Sequence, residues 1–208
     1  MNQTKQAVAD CMNRLYARHL TTLSGGNVST RGEDDLIQIT PSGTDKGHMS
    51  GDQIAAVGLD GKNHTPSLKP SSELPMHLSI YQRYPDVRAI AHAHPAMASV
   101  FTVIDRPLNT SLLEEAYLVI GASASADYAR TGTQTLADAV TSALGEGASC
   151  VLMRNHGVLA IGDTLLQAFN RIEVLEQLAK VTFFANVLGG GQGLTAKQCA
   201  ALDRSMGR

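Results

Sequence analysis

The sequence predicts a layered fold that mixes helices and strands, α/β or α+β in class. Two patterns predict it. Apolar runs of roughly four to eight residues, bounded by Gly, Pro, Asp or Asn, read as strands, and longer segments with apolar residues three and four apart read as amphipathic helices. The two kinds interleave along 208 residues, and an apolar content of 43% supplies a core for them to share.

Val8, Cys11, Met12 and Leu15 stand at helical spacing, so the chain opens with a helix ending near Leu20, before Ser24-Gly25-Gly26-Asn27. Residues 36–40 form a strand halted by Pro41-Ser42-Gly43. Residues 54–59 form another, followed by a hairpin turn at Asp60-Gly61. A helix over 72–84 carries Leu74, His77, Leu78 and Tyr81 along one flank and is closed by Pro85. Residues 87–94 read as a buried strand stopped by Pro95, and 96–103 as a short helix. The run 117–120 reads as a strand and 133–144 as a helix. A strand over 150–153 leads into Arg154-Asn155-His156-Gly157, and 158–161 continues extended. Asp163 caps a long helix running toward Leu188, where Gly189-Gly190-Gly191 breaks it before a short tail helix. No repeat, low-complexity tract or linker divides the chain, so a single domain over residues 1–208 is expected. Pattern alone leaves the strand order open.

Bulk properties exclude several classes of function. A net charge of −2 and a pI near 6.4 give no basic face for nucleic acid. The amino-terminal residues lack the apolar core of a signal peptide, and no stretch of about 18 uncharged apolar residues spans a membrane. Cys11, Cys150 and Cys199 are isolated and odd in number, which fits a reduced cytoplasm better than a disulfide framework. A cytoplasmic protein with neither nucleic acid nor membrane as partner is expected.

The chemistry concentrates in a few places. In an extended strand, side chains two apart share a face, so His92 and His94 converge on one side at a strand end. Alone, such a pair is either a metal pair or two satisfied or solvated histidines. His156, beside Gly157 just past a strand, is the natural third ligand or else a turn histidine. Three imidazoles leave coordination positions open, as a catalytic zinc site requires. Glu73 is the acid/base candidate; its alternative is a first-turn acid stabilised by the helix dipole. His77 lies four residues on and shares its face, either orienting Glu73 or packed. His19, His48 and His64 read as surface residues. Gly25-Gly26-Asn27, Ser42-Gly43-Thr44 and Ser71-Ser72 offer backbone and side-chain donors for an anion, or are ordinary turns and caps. None matches a nucleotide fingerprint. No lysine sits in an evident apolar pocket, which disfavours Schiff-base chemistry.

In order, Ser24-Gly25-Gly26-Asn27-Val28-Ser29, Thr40-Pro41-Ser42-Gly43, Pro70-Ser71-Ser72-Glu73, His92-Ala93-His94, Tyr128-Ala129-Arg130-Thr131-Gly132-Thr133 and Asn155-His156-Gly157 resemble the class II aldolase and adducin family of sugar-phosphate enzymes. The resemblance spans about residues 5–188. It implies a three-layer α/β/α sandwich around a mostly antiparallel sheet, and a homotetramer with sites at subunit interfaces. It implies metal ligands at His92, His94 and His156, an acid/base at Glu73, and phosphate-binding positions at Asn27, Ser42, Gly43, Ser71 and Ser72. The implied activity is reversible cleavage of a ketose 1-phosphate to dihydroxyacetone phosphate and a small aldehyde, through an enediolate. The carboxylate would move a proton at the enediolate carbon, a task suited to a raised pKa. Fuculose 1-phosphate and 5-deoxy- or methylthio-pentulose 1-phosphates are the substrate types implied. The metal is Zn2+ first, with Co2+, Mn2+ or Ni2+ fitting the same donors.

Alternatives within the family are methylthioribulose-1-phosphate dehydratase and sugar-phosphate epimerase, although the epimerase branch carries aspartate where Glu73 stands. Outside catalysis stands an adducin-like interaction module, which retention of the histidines and Glu73 argues against. Two aromatic positions of the aldolase branch, which reach the aldehyde end of a neighbour's site, depart here. Leu113 and Thr131 stand nearest, with Tyr117 a replacement for the former; Tyr128 is retained.

Overall fold

The computed structural model describes residues 3–32, 35–104, 106–145 and 147–207. Seven strands form one sheet: β1 (Asn27–Arg31), β2 (Ile37–Ile39), β3 (Ala55–Val57), β4 (Ala89–Ala93), β5 (Ala122–Ala126), β6 (Ala148–Met153) and β7 (Gly157–Gly162). Their order is β3-β2-β1-β4-β7-β6-β5. Every pairing is antiparallel except β5 with β6, which run parallel, so the sheet is mixed at one edge. Helices α1 (Gln3–Ala17), α3 (Ala96–Val103), α4 (Glu114–Ile120) and α6 (Leu165–Val187) cover one face, while α2 (Leu74–Arg83) and α5 (Gln134–Leu144) cover the other. A last helix, α7 (Ala196–Ser205), closes the chain. This is the three-layer α/β/α sandwich.

Strand alternation assigns the faces. On β4, Ala89, Ala91 and Ala93 pack with α1, α3 and α6, while Ile90 packs with α2 and α5. Small alanines let the long α6 lie close against the centre of the sheet. His92 has the parity of Ile90 and therefore projects toward the layer that begins with α2. The free thiols of Cys11 and Cys150 are buried, and burial pushes them up to about 12 and about 11, so both act as apolar filler. Among the described residues, no helix is long and apolar enough to cross a membrane.

Several local expectations need correction. Residues 117–120 are the end of α4, not a strand. The apolar run is too short to fix its period, and Ala116 and Ile120, four apart, form the buried stripe. The strand follows instead as β5, whose Ala-Ser alternation carries little hydrophobic signal. β1 was likewise not anticipated, because Asn27, Ser29 and Thr30 are polar yet buried. The long helix is capped by Thr164, not Asp163: the Gln167 N–H donates to Thr164 Oγ1, and the Gln167 side chain accepts from the Asp163 N–H at 2.6 Å.

Candidate active site

His92 is the penultimate residue of β4, His94 follows just beyond the strand, and His156 sits in the turn joining β6 to β7. Because β4 and β7 are neighbours in the sheet, residues 62 or more apart in sequence meet here: ring centroids lie 4.8 Å apart for His92–His94 and His92–His156, and 5.3 Å for His94–His156. Two glycines make the crowding possible. A Cβ at Gly157 would collide with the His94 ring and the Ala93 carbonyl, and one at Gly25 would lie 2.7 Å from His94 Nδ1. Asn155 takes a left-handed conformation (φ 54°) that turns His156 back toward the sheet, a conformation asparagine tolerates.

Hydrogen bonding fixes which nitrogen of His92 faces inward. His92 Nδ1–H donates to the Val158 carbonyl at 2.9 Å, leaving Nε2 with its lone pair exposed to the centre. His94 Nε2 lies 3.0 Å from that atom, and His156 Nε2 points at Glu73. One ligand atom from each histidine lies within 4.8 Å of the others. Burial and the neighbouring imidazoles push His94 down to about 3 and lower His156, so both are neutral donors at physiological pH. Neutral nitrogens turned toward one another, beside a buried carboxylate oxygen with no hydrogen-bond partner (Glu73 Oε1), fit a divalent cation.

Glu73 is the N-cap of α2, one residue before the helix begins, but its side chain makes no capping bond. The carboxylate turns instead to the imidazoles: Oε2 is 3.1 Å from His92 Nε2, and Oε1 is 3.5 Å from His156 Nε2. That placement answers the first-turn-acid alternative. Burial works to raise the Glu73 carboxyl, but His92, His156 and the Asn27 amide outweigh it and hold it well below the usual carboxylate range. The raised pKa expected from sequence is not what this pairing gives.

Behind Glu73 runs a buried chain of hydrogen bonds whose direction is determined. Asn27 Nδ2 donates to Glu73 Oε2 at 2.7 Å, since a carboxylate only accepts. Asn27 Oδ1 therefore faces His77, which must donate from Nε2 at 2.6 Å. Burial pushes His77 down to about 3, so the ring is neutral and its Nδ1 accepts from Ser29 Oγ at 2.6 Å. Ser29 Oγ in turn accepts from the Tyr81 hydroxyl at 2.8 Å. His77 thus orients Glu73 indirectly, through Asn27.

The residues expected to bind phosphate come together on two laced loops. The Ser42 N–H donates to the Lys69 carbonyl (3.0 Å) and the Ser71 N–H to the Thr40 carbonyl (3.1 Å), with Pro41 and Pro70 bridging. Ser42, Gly43, Ser71 and Ser72 therefore line one rim. Asn27 is joined to it through β1, where the Thr40 N–H donates to the Val28 carbonyl at 3.0 Å. Both ends of the Asn27 amide are engaged, leaving one Nδ2 hydrogen for an anion. Thr131 lies on the exposed turn whose Gly132 packs against the Ser72 carbonyl, on the same rim. Tyr128 is 67% exposed. The Tyr117 hydroxyl donates to Asp203 Oδ2 (2.9 Å), tying α4 to α7 rather than reaching the histidines. His19, His48 and His64 are exposed. Sequence reasoning missed Lys46, which is 2% exposed behind the first loop; its signal was only its place three residues after Gly43.

An α/β/α sandwich that gathers three histidines, a carboxylate and a donor-rich rim has close counterparts among known proteins. The family model for the class II aldolase and adducin N-terminal domain matches residues 6–183. An L-fuculose phosphate aldolase from Methanococcus vannielii is 36% identical over 80% of this chain and 88% of its own length. A 3-oxo-tetronate 4-phosphate decarboxylase from Haemophilus influenzae is 30% identical over 86% of each chain. A solved L-fuculose 1-phosphate aldolase superposes with a TM-score of 0.91 at 33% identity, covering 100% of this chain and 98% of that one. The chain belongs to the class II aldolase and adducin family.

Proposed function

We propose that this protein is a metal-dependent aldolase that reversibly cleaves a ketose 1-phosphate, of the fuculose or 5-deoxy- or methylthio-pentulose type, to dihydroxyacetone phosphate and a small aldehyde. The observation that carries the reading is the convergence of His92, His94 and His156 beside Glu73, within one rim of the laced loops. A non-catalytic module has no use for three imidazoles turned toward one another.

His92, His94 and His156 would hold the cation, with zinc the first choice for an all-imidazole set and Co2+, Mn2+ or Ni2+ acceptable. When bound, it supplies a Lewis acid for negative charge on substrate oxygens, an effect that in water ionisation is worth on the order of 12 kcal/mol. The chain's own residues do the rest. Ser42, Gly43, Ser71 and Ser72 fix the phosphate, with Asn27 contributing its spare hydrogen, so that the reacting carbons meet Glu73 in one orientation. Oε2 is tied by the Asn27 amide, which leaves Oε1 to move the proton. In the synthetic direction Oε1 takes a proton from the hydroxymethyl carbon of dihydroxyacetone phosphate. In cleavage it returns one to that carbon after the carbon–carbon bond breaks. At neutral pH Glu73 is ionised, the form that accepts the proton.

Self-association into a homotetramer is part of the same proposal. Val103 on α3 and Phe184, Val187 and Leu188 at the end of α6 are exposed and apolar, which supports a covered face there. Tyr128 and Thr131 then serve a neighbour's aldehyde end, where the departure from the family pattern at Thr131 sets the aldehyde. The deciding experiment incubates metal-loaded protein with a panel of ketose 1-phosphates and follows three products. Aldehyde with stoichiometric dihydroxyacetone phosphate is expected. Water loss without cleavage makes it a dehydratase, and carbon dioxide from a 3-oxo acid phosphate makes it a decarboxylase, as one relative is named.

A further inference from the structure

The first anion loop hides a cation that the reaction described above leaves without a role. Lys46 is 2% exposed, and its backbone N–H is anchored to the Leu23 carbonyl at 2.9 Å. Its ammonium donates to the Pro41 carbonyl at 2.5 Å and reaches Thr44 Oγ1 at 3.5 Å. By bonding both ends of the 41–44 turn, Nζ lies inside it. Among the described residues no carboxylate pairs with it. Two neutral oxygens satisfy hydrogens but do not cancel a charge, and an uncompensated buried ammonium is costly. Burial draws Lys46 down to about 8, which still leaves it protonated at neutral pH.

What stands over that charge is built for an anion. Among the described residues, the N–H groups of Gly43, Thr44 and Ser72 donate to nothing, and the space beside Gly43 is open. Yet Asn27, Ser42, Gly43, Ser71 and Ser72 are all neutral, whereas a phosphate monoester carries two negative charges near pH 8. We propose that Lys46 is the positive charge of the phosphate pocket, a positioning residue that shapes the 41–44 turn from within and selects a dianionic ligand head. This rests on the sugar-phosphate reading of the site. Lys46 acts from beneath the backbone, so it attracts the phosphate without occupying its place.

The test compares methyl phosphate with methyl sulfate, a monoanion of the same shape, by calorimetry on the metal-loaded protein near neutral pH, where Lys46 is protonated and the phosphate ester is mostly dianionic. Wild type is expected to prefer the phosphate ester. Lys46→Met should weaken methyl phosphate at least tenfold and methyl sulfate less than threefold, and raise KM for the cleaved ketose phosphate with kcat within threefold. Lys46→Arg, which keeps the charge, should retain the phosphate preference. Equal weakening of both esters would mean that Lys46 merely supports the turn, and no change would remove it from the pocket; either overturns the inference. Wild type binding neither ester would overturn the sugar-phosphate reading as well, which separates the two failures. Should Lys46→Met not fold, the 13Cε signal of Lys46 in labelled wild-type protein decides, identified by its loss in Lys46→Arg. It must shift with methyl phosphate more than with methyl sulfate, and equal shifts reject the inference.

Discussion

Glu73 divides its work between two oxygens. Oε2 accepts from the Asn27 amide at 2.7 Å and lies 3.1 Å from His92 Nε2, whereas Oε1 has no hydrogen-bond partner although it is buried. A glutamine at 73 keeps the shape and the cluster of imidazoles but cannot move a proton. Glu73→Gln should therefore retain metal and fold while turnover falls about 100- to 10,000-fold, the usual worth of a positioned acid/base; comparing metal content with the steady-state rate checks this, and an unchanged rate would take Glu73 out of the mechanism. His94 serves a different end. Its ring sits in contact distance of Gly25 and Gly157, so replacement by alanine leaves space without a clash. His94→Ala should lose most of its bound metal by elemental analysis, and full occupancy would show that His94 is no ligand.

At the scale of elements, the site depends on how β1 and β4 face α2. Asn27 pairs directly with His92 in the ladder, and Ser29 pairs with Ile90, so the polar chain Asn27–His77–Ser29–Tyr81 fills the space between strand and helix that would otherwise be apolar. His77→Leu would leave Asn27 Oδ1 without its donor, at a cost of about 1–3 kcal/mol, and the Ser29 hydroxyl with Tyr81 alone. It should also lower kcat about tenfold without raising KM, because Asn27 would no longer hold Glu73; His77→Gln, which can donate to Asn27, should recover much of both. There is a pH consequence. His77 titrates at 6.5 when exposed but near 3 when folded, so between those values the unfolded chain binds the extra proton. Stability then falls as pH falls through that window, by up to about 1.36 kcal/mol per unit from this group. Denaturant melts from pH 6 to 4 should show a shallower fall in His77→Gln than in wild type. His92-Ala93-His94 was legible in the sequence because strand parity puts both rings on one face, and Pro95 marks the strand end. β1 was not, because its buried side chains are polar and their partners lie 46 or more residues away. The run 117–120 was misread because seven residues of α4 show too little of their period. Lys46 escaped notice because a buried lysine has no local pattern; only the fold encloses it.

For the molecule as a whole, the candidate metal centre is a tie between layers. The ligands come from the end of β4 and from the turn between β6 and β7, and the carboxylate beside them stands at the start of α2, which packs on the face of the sheet toward which His92 projects. Four polar groups converge in a buried place: Glu73 and the Val158 carbonyl raise His92 against the effect of burial, and His92, His156 and the Asn27 amide lower the Glu73 carboxyl. A cation that binds only the folded arrangement stabilises it by mass action, about 2.7 kcal/mol when free metal stands at 100 times its dissociation constant. In a chain of this length each kcal/mol moves the melting midpoint by roughly 2–4 °C, so exhaustive chelation should lower Tm by about 5–10 °C and restoring zinc should reverse it. His94→Ala separates this linkage from a general effect of chelator or salt. Its Tm should already lie near that of the chelated wild type, and it should respond to neither chelator nor added zinc. A wild-type Tm indifferent to chelation would mean that no cation is held by His92, His94 and His156 together, and the aldolase reading would lose its Lewis acid.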